Sequence, residues 1–130
     1  MPYAKLILGA DVSLPDLDAV AAKLTDLISL ELNKTYDLTA VSVEMSKTPV
    51  WLVGGTRSSI AAHLEVYVTA NTNTAEQKAQ FIASAMTYLR SVIPQLPVAS
   101  YIVIHELPGS NWGYDGWTQA QRSKQAHNLA

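Results

Sequence analysis

Residues 3–55 laid over residues 64–116, an offset of 61, answer one another in pattern along their length. "LILGADVSLPDLDAVAAKL" falls on "YVTANTNTAEQKAQFIASA", Trp51 on Trp112 and Gly55 on Gly116. A chain built this way folds as two copies of one unit, and that restricts its architecture more than composition does.

Each unit reads as β-α-β. Runs rich in Val, Ile and Tyr, Tyr3–Leu8 and His63–Thr69, precede a helix, and the runs Thr39–Met45 and Ser100–Glu106 follow it. Apolar residues at helical spacing mark the helices: Leu17, Val20, Ala21, Leu24, Leu27 and Ile28 in the first unit, Phe81, Ile82, Ala85, Leu89, Val92 and Ile93 in the second. Ser13-Leu-Pro-Asp16 and Thr74-Ala-Glu-Gln77 mark their starts, where a hydroxyl accepts a first-turn N–H and an acid or amide reaches back. Pro15 is tolerated there because first-turn N–H groups have no helical partner.

A right-handed crossover makes the two strands of each unit parallel and places its helix on one sheet face. The fold class is α+β: a tandem β-α-β repeat giving a four-stranded mixed sheet with two helices on one face. The strands align best with a one-residue gap that sets Glu44 on Glu106 rather than on His105. Units 2–55 and 63–116 then form a single domain over 1–130, with 46–60 as turn and connector and 117–130 as a polar tail that caps a neighbour or frays.

At 130 residues such a domain buries roughly two-thirds of its unfolded surface. With 48% hydrophobic and only 15% charged residues, part of the apolar surface is expected between subunits. A net charge of −2 and nine scattered Lys and Arg form no basic stripe, which argues against nucleic acid. The lack of cysteine removes disulfides, thiolate nucleophiles and Cys-based zinc sites, and His63, His105 and His127 show no metal-ligand spacing. His105 reads as a strand residue at a subunit contact rather than a general base, and Gly54-Gly55 as a turn rather than a phosphate loop. Neither a membrane-length apolar run nor a signal sequence is present, so a cytoplasmic protein with no membrane partner is expected.

The chain opens "MPYAKLIL", with Pro2 directly before the first strand. Removal of Met1 would leave a secondary amine at the chain end. With Pro2, the doubled β-α-β unit and the ending "YIVIHELPGSNWGYDG", the chain resembles the tautomerase superfamily, and more narrowly a fusion of two 4-oxalocrotonate tautomerase-like units. "NKTYDLTAVSVE" and "SYIVIHE" are similar to stretches of macrophage migration inhibitory factor, another member, around its active-site lysine and tyrosine.

The resemblance implies a homotrimer with active sites near subunit boundaries. It also implies a cofactor-independent keto–enol tautomerase or isomerase with Pro2 as general base on a 2-keto acid or its enol. An α-amine has a reference pKa of roughly 8, and an apolar pocket or nearby cation lowers it, so a neutral base at pH 7 is physically reasonable. Its candidate site residues are Pro2 and Tyr101 as catalytic groups and Lys34, Arg57 and Trp112 as substrate-binding groups, with no metal. Plainer readings stand beside these: Lys34 complements a helix C-terminus, Arg57 makes a surface ion pair, Tyr101 packs, and Trp51 and Trp112 anchor hairpins.

The chain also departs from the family. The arginines that bind a diacid in 4-oxalocrotonate tautomerase are missing, with Val12 and Asn73 at one comparable region and Thr39 and Tyr101 at the other. A monoacid such as an aryl or alkyl pyruvate enol is therefore the expected small-molecule partner. Only the first unit begins with proline, its counterpart lying near Ala62 or His63, so a trimer would carry three sites. The alternatives are a Pro2-dependent dehalogenase or decarboxylase of a small three-carbon acid, with Glu44 or Glu106 to orient water or carboxylate, and a non-enzymatic binding or signalling role.

Overall fold

The computed structural model describes residues 2–47 and 50–129. Met1, Thr48, Pro49, Ala130 and the side chains of 127–129 lie outside the described residues, and with them the state of Met1, His127, part of the 46–60 connector and the end of the tail.

Strand β1 (Tyr3–Leu8), helix α1 (Leu17–Glu31) and β2 (Ala40–Met45) form the first β-α-β unit; β5 (Ala62–Thr69), α2 (Ala75–Val92) and β6 (Tyr101–Leu107) form the second. The sheet order is β2-β1-β5-β6. β1 and β2 are parallel, as are β5 and β6, and β1 meets β5 antiparallel, so the sheet is mixed. Ile7 pairs with Glu44 and Val68 with Glu106, which reproduces the one-residue gap between the units.

β5 alternates buried and half-buried residues along its whole length, as a strand with one packed face must. Ala4, Leu6 and Leu8 of β1 and Leu64, Val66 and Val68 of β5 join one core cluster with both helices, so the helices share a face. The offset of 61 holds inside that cluster: Val20, Leu24, Ile28 and Leu32 of the first unit stand where Phe81, Ala85, Leu89 and Ile93 stand in the second, and all are buried. Three expected core positions are not part of it, of which Ala21 is half-buried. Leu17, at the first turn of α1, is 36% exposed and Ile82, on the flank of the α2 stripe, 39%.

The two helix starts differ from the paired reading. Thr74 caps α2 with a reciprocal box: its hydroxyl accepts from Gln77 N at 3.1 Å, and Gln77 Oε1 accepts from Thr74 N at 2.9 Å. In the first unit the cap is Asp16, not Ser13, and it accepts from Ala19 N at 3.0 Å. The cause is Pro15, whose ring keeps Leu14 out of helical geometry and pushes the start of α1 beyond it.

Each unit ends in a small hairpin, β3 (Leu52–Val53) with β4 (Thr56–Arg57) and β7 (Gly113–Tyr114) with β8 (Trp117–Thr118). Gly54-Gly55 and Asp115-Gly116 all have positive φ at the two central positions, the geometry whose twist suits a two-residue hairpin. Gly113 is required for a different reason: a Cβ there would collide with the Trp117 carbonyl oxygen.

The polar stretch after β8 has no apolar period, yet it carries a third helix, α3 (Gln119–Leu129). Thr118 and Gln121 form a second reciprocal box at its start, with N–H···O distances of 3.0 and 2.9 Å. No helix among the described residues is long and apolar enough to cross a membrane.

Candidate active site

Pro2 is buried just ahead of β1, and its carbonyl accepts from Ala40 N at 3.2 Å, tying it to the start of β2. It lines a cavity of about 430 Å³, within the usual size for a small-molecule site. Leu38 and Ala40 close the side toward β2, and Tyr3 and Tyr67 the sheet side. The remaining wall comes from the second unit: Leu107 at the end of β6, then Trp112, Gly113, Tyr114 and Gln119.

That wall is held by hydrogen bonds. Trp112 Nε1 donates to Thr69 Oγ1 at 3.2 Å, its carbonyl accepts from Gln119 N at 2.9 Å, and Ala120 N donates to the Gly109 carbonyl at 2.9 Å. Hairpin and α3 are thus bound to the end of β5 and present an indole and a phenol ring to the cavity.

Tyr67 is flanked by Tyr3, with ring centres 5.8 Å apart, and by His105, stacked at 4.5 Å and 10°. His105 Nε2 lies 3.0 Å from Glu65 Oε1, and His63 lies 3.7 Å from the same oxygen. The His105 hydrogen bond holds the Glu65 carboxyl below the usual carboxylate range, with His63 adding to the effect. His105 therefore braces the sheet beside Tyr67 and does not line the Pro2 cavity.

Lys34 is set by the end of α1. Asn33 adopts positive φ, Lys34 N donates to the Ser29 carbonyl at 3.1 Å, and the chain turns out of the helix. Its Nζ donates to Thr72 Oγ1 at 2.8 Å. Burial lowers the Lys34 pKa, partly opposed by the Glu106 charge, but Glu106 is itself paired to Lys78 Nζ at 2.8 Å. Lys34 lines a second compartment of about 310 Å³, which shares Tyr114 and Gln119 with the Pro2 cavity.

Of the sequence candidates, Pro2 and Trp112 meet in one cavity and Lys34 lies next door. Tyr101 does not join them within the protomer. It pairs with His63, which pairs with Ile7, four residues along the sheet from the row of Tyr3, Tyr67 and His105, or roughly 13 Å at strand rise. Arg57, on β4, is exposed and lines neither compartment.

Sequence reasoning did not pick out Leu38, Tyr67 or Arg122. Arg122 packs its guanidinium 3.7 Å from the Tyr114 ring centre and donates from Nη2 to the Tyr114 carbonyl at 2.9 Å. The Thr118-Gln-Ala-Gln121 pattern, matching Thr74-Ala-Glu-Gln77, was the available signal for the helix that carries it.

No family model matches the chain. A probable tautomerase, K2, of Dickeya dadantii (strain 3937) is 32% identical over 63 residues, which are 94% of that protein and 48% of this chain. The chain belongs to the tautomerase superfamily. That relative is about as long as one repeat unit, as expected if this tautomerase-superfamily chain holds two.

Solved structures agree on the fold. A fused 4-OT described as a wild-type symmetric trimer superposes with a TM-score of 0.81 at 14% identity, covering 92% of this chain and 98% of its own. A macrophage migration inhibitory factor-like protein from Entamoeba histolytica gives 0.74 at 21% identity, covering 90% and 97%.

Proposed function

We propose that this superfamily member is a cytoplasmic, cofactor-independent keto–enol tautomerase that acts on a 2-keto acid or its enol, with the Pro2 nitrogen, freed by removal of Met1, as general base. The observation that carries this reading is the burial of Pro2 in a mostly apolar cavity beside Trp112. Apolar surroundings disfavour an ammonium and so favour the neutral amine that a base must be. In the reaction Pro2 takes the proton α to the carbonyl, the C–H pair becomes the C=C bond and the carbonyl oxygen gains charge. Transfer of that proton to the oxygen completes the enol. In the ketonisation direction Pro2 takes the enol O–H proton, the carbonyl re-forms, and the C=C pair accepts the proton at the α-carbon.

The developing oxyanion needs a donor, and the 2-carboxylate a cation. Lys34 is the nearer candidate cation. A homotrimer, the assembly of the fused 4-OT that superposes on this chain, would let Tyr101 act from a neighbouring copy. Its 66% exposure within the protomer leaves it accessible for that role. Arg57 is proposed in the same way, as a cation lent across the subunit boundary.

Among the described residues no carboxylate lines the Pro2 cavity, which favours proton transfer over hydrolytic dehalogenation, whose attacking water needs an activating group, and over decarboxylation, whose carboxylate needs an orienting one. The test is ketonisation of phenylenolpyruvate followed by ultraviolet absorbance, on protein whose intact mass confirms loss of Met1. A rate well above buffer that disappears in Pro2→Ala supports the proposal; equal rates in the two proteins reject it.

A further inference from the structure

The second compartment is chemically unlike the first. It is lined by Lys34 and Arg122 together with Thr69, Thr72 and Ser123, and among the described residues no carboxylate lines it. Two cations are thus gathered in one pocket without an acid inside it to balance them.

Neither cation is fully satisfied by its neighbours. Glu106, the acid whose charge reaches Lys34, is engaged by Lys78 at 2.8 Å, and among the described residues the Lys34 ammonium bonds the neutral Thr72 hydroxyl. Among the described residues, Arg122 donates from Nη2 to a carbonyl, and its Nε is screened from solvent without a hydrogen-bond partner. Asp115, the acid closest in sequence to this hairpin and helix, lines a different cleft with Trp117. A guanidinium stacked on a ring is pre-oriented, so little further ordering is needed when it meets a carboxylate.

The compartment adjoins the Pro2 cavity, with Tyr114 and Gln119 lining both. We infer that Arg122, on α3, receives the substrate's carboxylate in this compartment, with Lys34 beside it, while the apolar end of the substrate lies in the Pro2 cavity against Trp112. This rests on the reading of the substrate as a 2-keto acid. It makes α3 part of the specificity machinery for the monoacid already expected, with its anionic end at Arg122 and its aryl or alkyl remainder in the Pro2 cavity.

The experiment measures binding without turnover. Benzoylformate is a 2-keto acid with no hydrogen on a carbon next to the ketone, so it cannot enolise, and its amide is a neutral control of similar shape. Titration calorimetry at low salt on trimmed wild-type protein should give the acid a preference over the amide of roughly tenfold or more. Arg122→Gln keeps side-chain length and amide donors but removes the charge. It should erase most of that preference by weakening the acid alone, whereas a merely structural defect would weaken acid and amide together. Arg122→Lys should retain part of the preference, and thermal unfolding of each variant checks that α3 remains docked.

Absence of benzoylformate binding at millimolar concentration, equal affinity for acid and amide, or an unchanged preference in Arg122→Gln overturns the inference. Pro2-dependent ketonisation is read separately. If it is missing while the Arg122-dependent preference persists, the tautomerase reading fails and the carboxylate site stands; the opposite pattern does the reverse.

Discussion

The two units share a fold and differ in what surrounds it. Both carry β-α-β followed by a two-residue hairpin, and even the closing bond is repeated: Ser58 N donates to the Trp51 carbonyl at 2.8 Å and Gln119 N to that of Trp112 at 2.9 Å. What precedes and follows is not repeated. The first unit begins at Pro2, whereas its counterpart in the second, His63, lies within a continuous strand. After the first hairpin the chain enters β5; after the second it forms α3. The cavity combines the two departures, since Pro2 comes from one unit and Trp112, Tyr114 and Gln119 from the other. Duplication built the sheet, and loss of equivalence at the unit ends built the site.

The sharpest way to break this comparison is to mutate the two equivalent positions. Pro2→Ala is expected to lower phenylenolpyruvate ketonisation by roughly 10²–10⁴-fold, the usual contribution of a positioned base. His63→Ala, at the matching position, should leave the rate within a few-fold of wild type. Similar losses in both would mean that the units are functionally equivalent after all. Mixing Pro2→Ala with Tyr101→Phe subunits sharpens the point: if Tyr101 works across a boundary, mixed trimers should recover activity that neither parent has, and failure to recover any would confine each site to one chain.

Core substitutions probe the part that is repeated. Phe81 and Val20 fill equivalent places beneath the sheet. Phe81→Ala should cost about 3–5 kcal/mol in urea unfolding, and Val20→Ala less, because fewer buried atoms are removed. Caps probe where the repeat slips. Thr74→Ala and Asp16→Ala should each cost about 1 kcal/mol, while Ser13→Ala should cost a few tenths at most. A comparable loss at Ser13 would contradict the later start of α1.

The smallest effect concerns charge. Lys78 holds the Glu106 carboxyl below its ordinary value of 4.5 through a hydrogen bond and charge. A depressed folded pKa stabilises the protein above the unfolded value, and the gain is lost as pH falls through the folded one. Glu106→Gln should therefore be slightly less stable than wild type at pH 7, with the gap closing as pH falls below about 4.5. Glu44→Gln is the control, since Leu17 stands where Lys78 would be. An equal, pH-dependent gap in both variants would show that the ion pair is not its source.

Much of this was legible in the sequence because burial leaves periodic traces. Alternation in the strands, helical spacing in α1 and α2 and paired Trp and Gly positions each report a local requirement that the residue type itself satisfies. Where two local rules competed, the reading failed: Ser13 has the right chemistry for a cap, but the proline two residues on forbids the turn it would start. Helix α3 escaped because it has no apolar stripe, only a polar capping box and side-chain bonds to the preceding hairpin.

By itself, then, the sequence determined the duplicated β-α-β architecture, the one-residue gap in its strands, the hairpins and the position of a single proline at the head of one unit. These follow from backbone preferences and burial, which act over a few neighbouring residues. Only the tertiary structure decided that Trp112 faces Pro2, that Tyr101 stands far from it in the same protomer, and that Lys34 and Arg122, 88 positions apart, line one compartment. Such meetings depend on how the two units are turned against each other across β1 and β5, and no spacing along the chain records that angle.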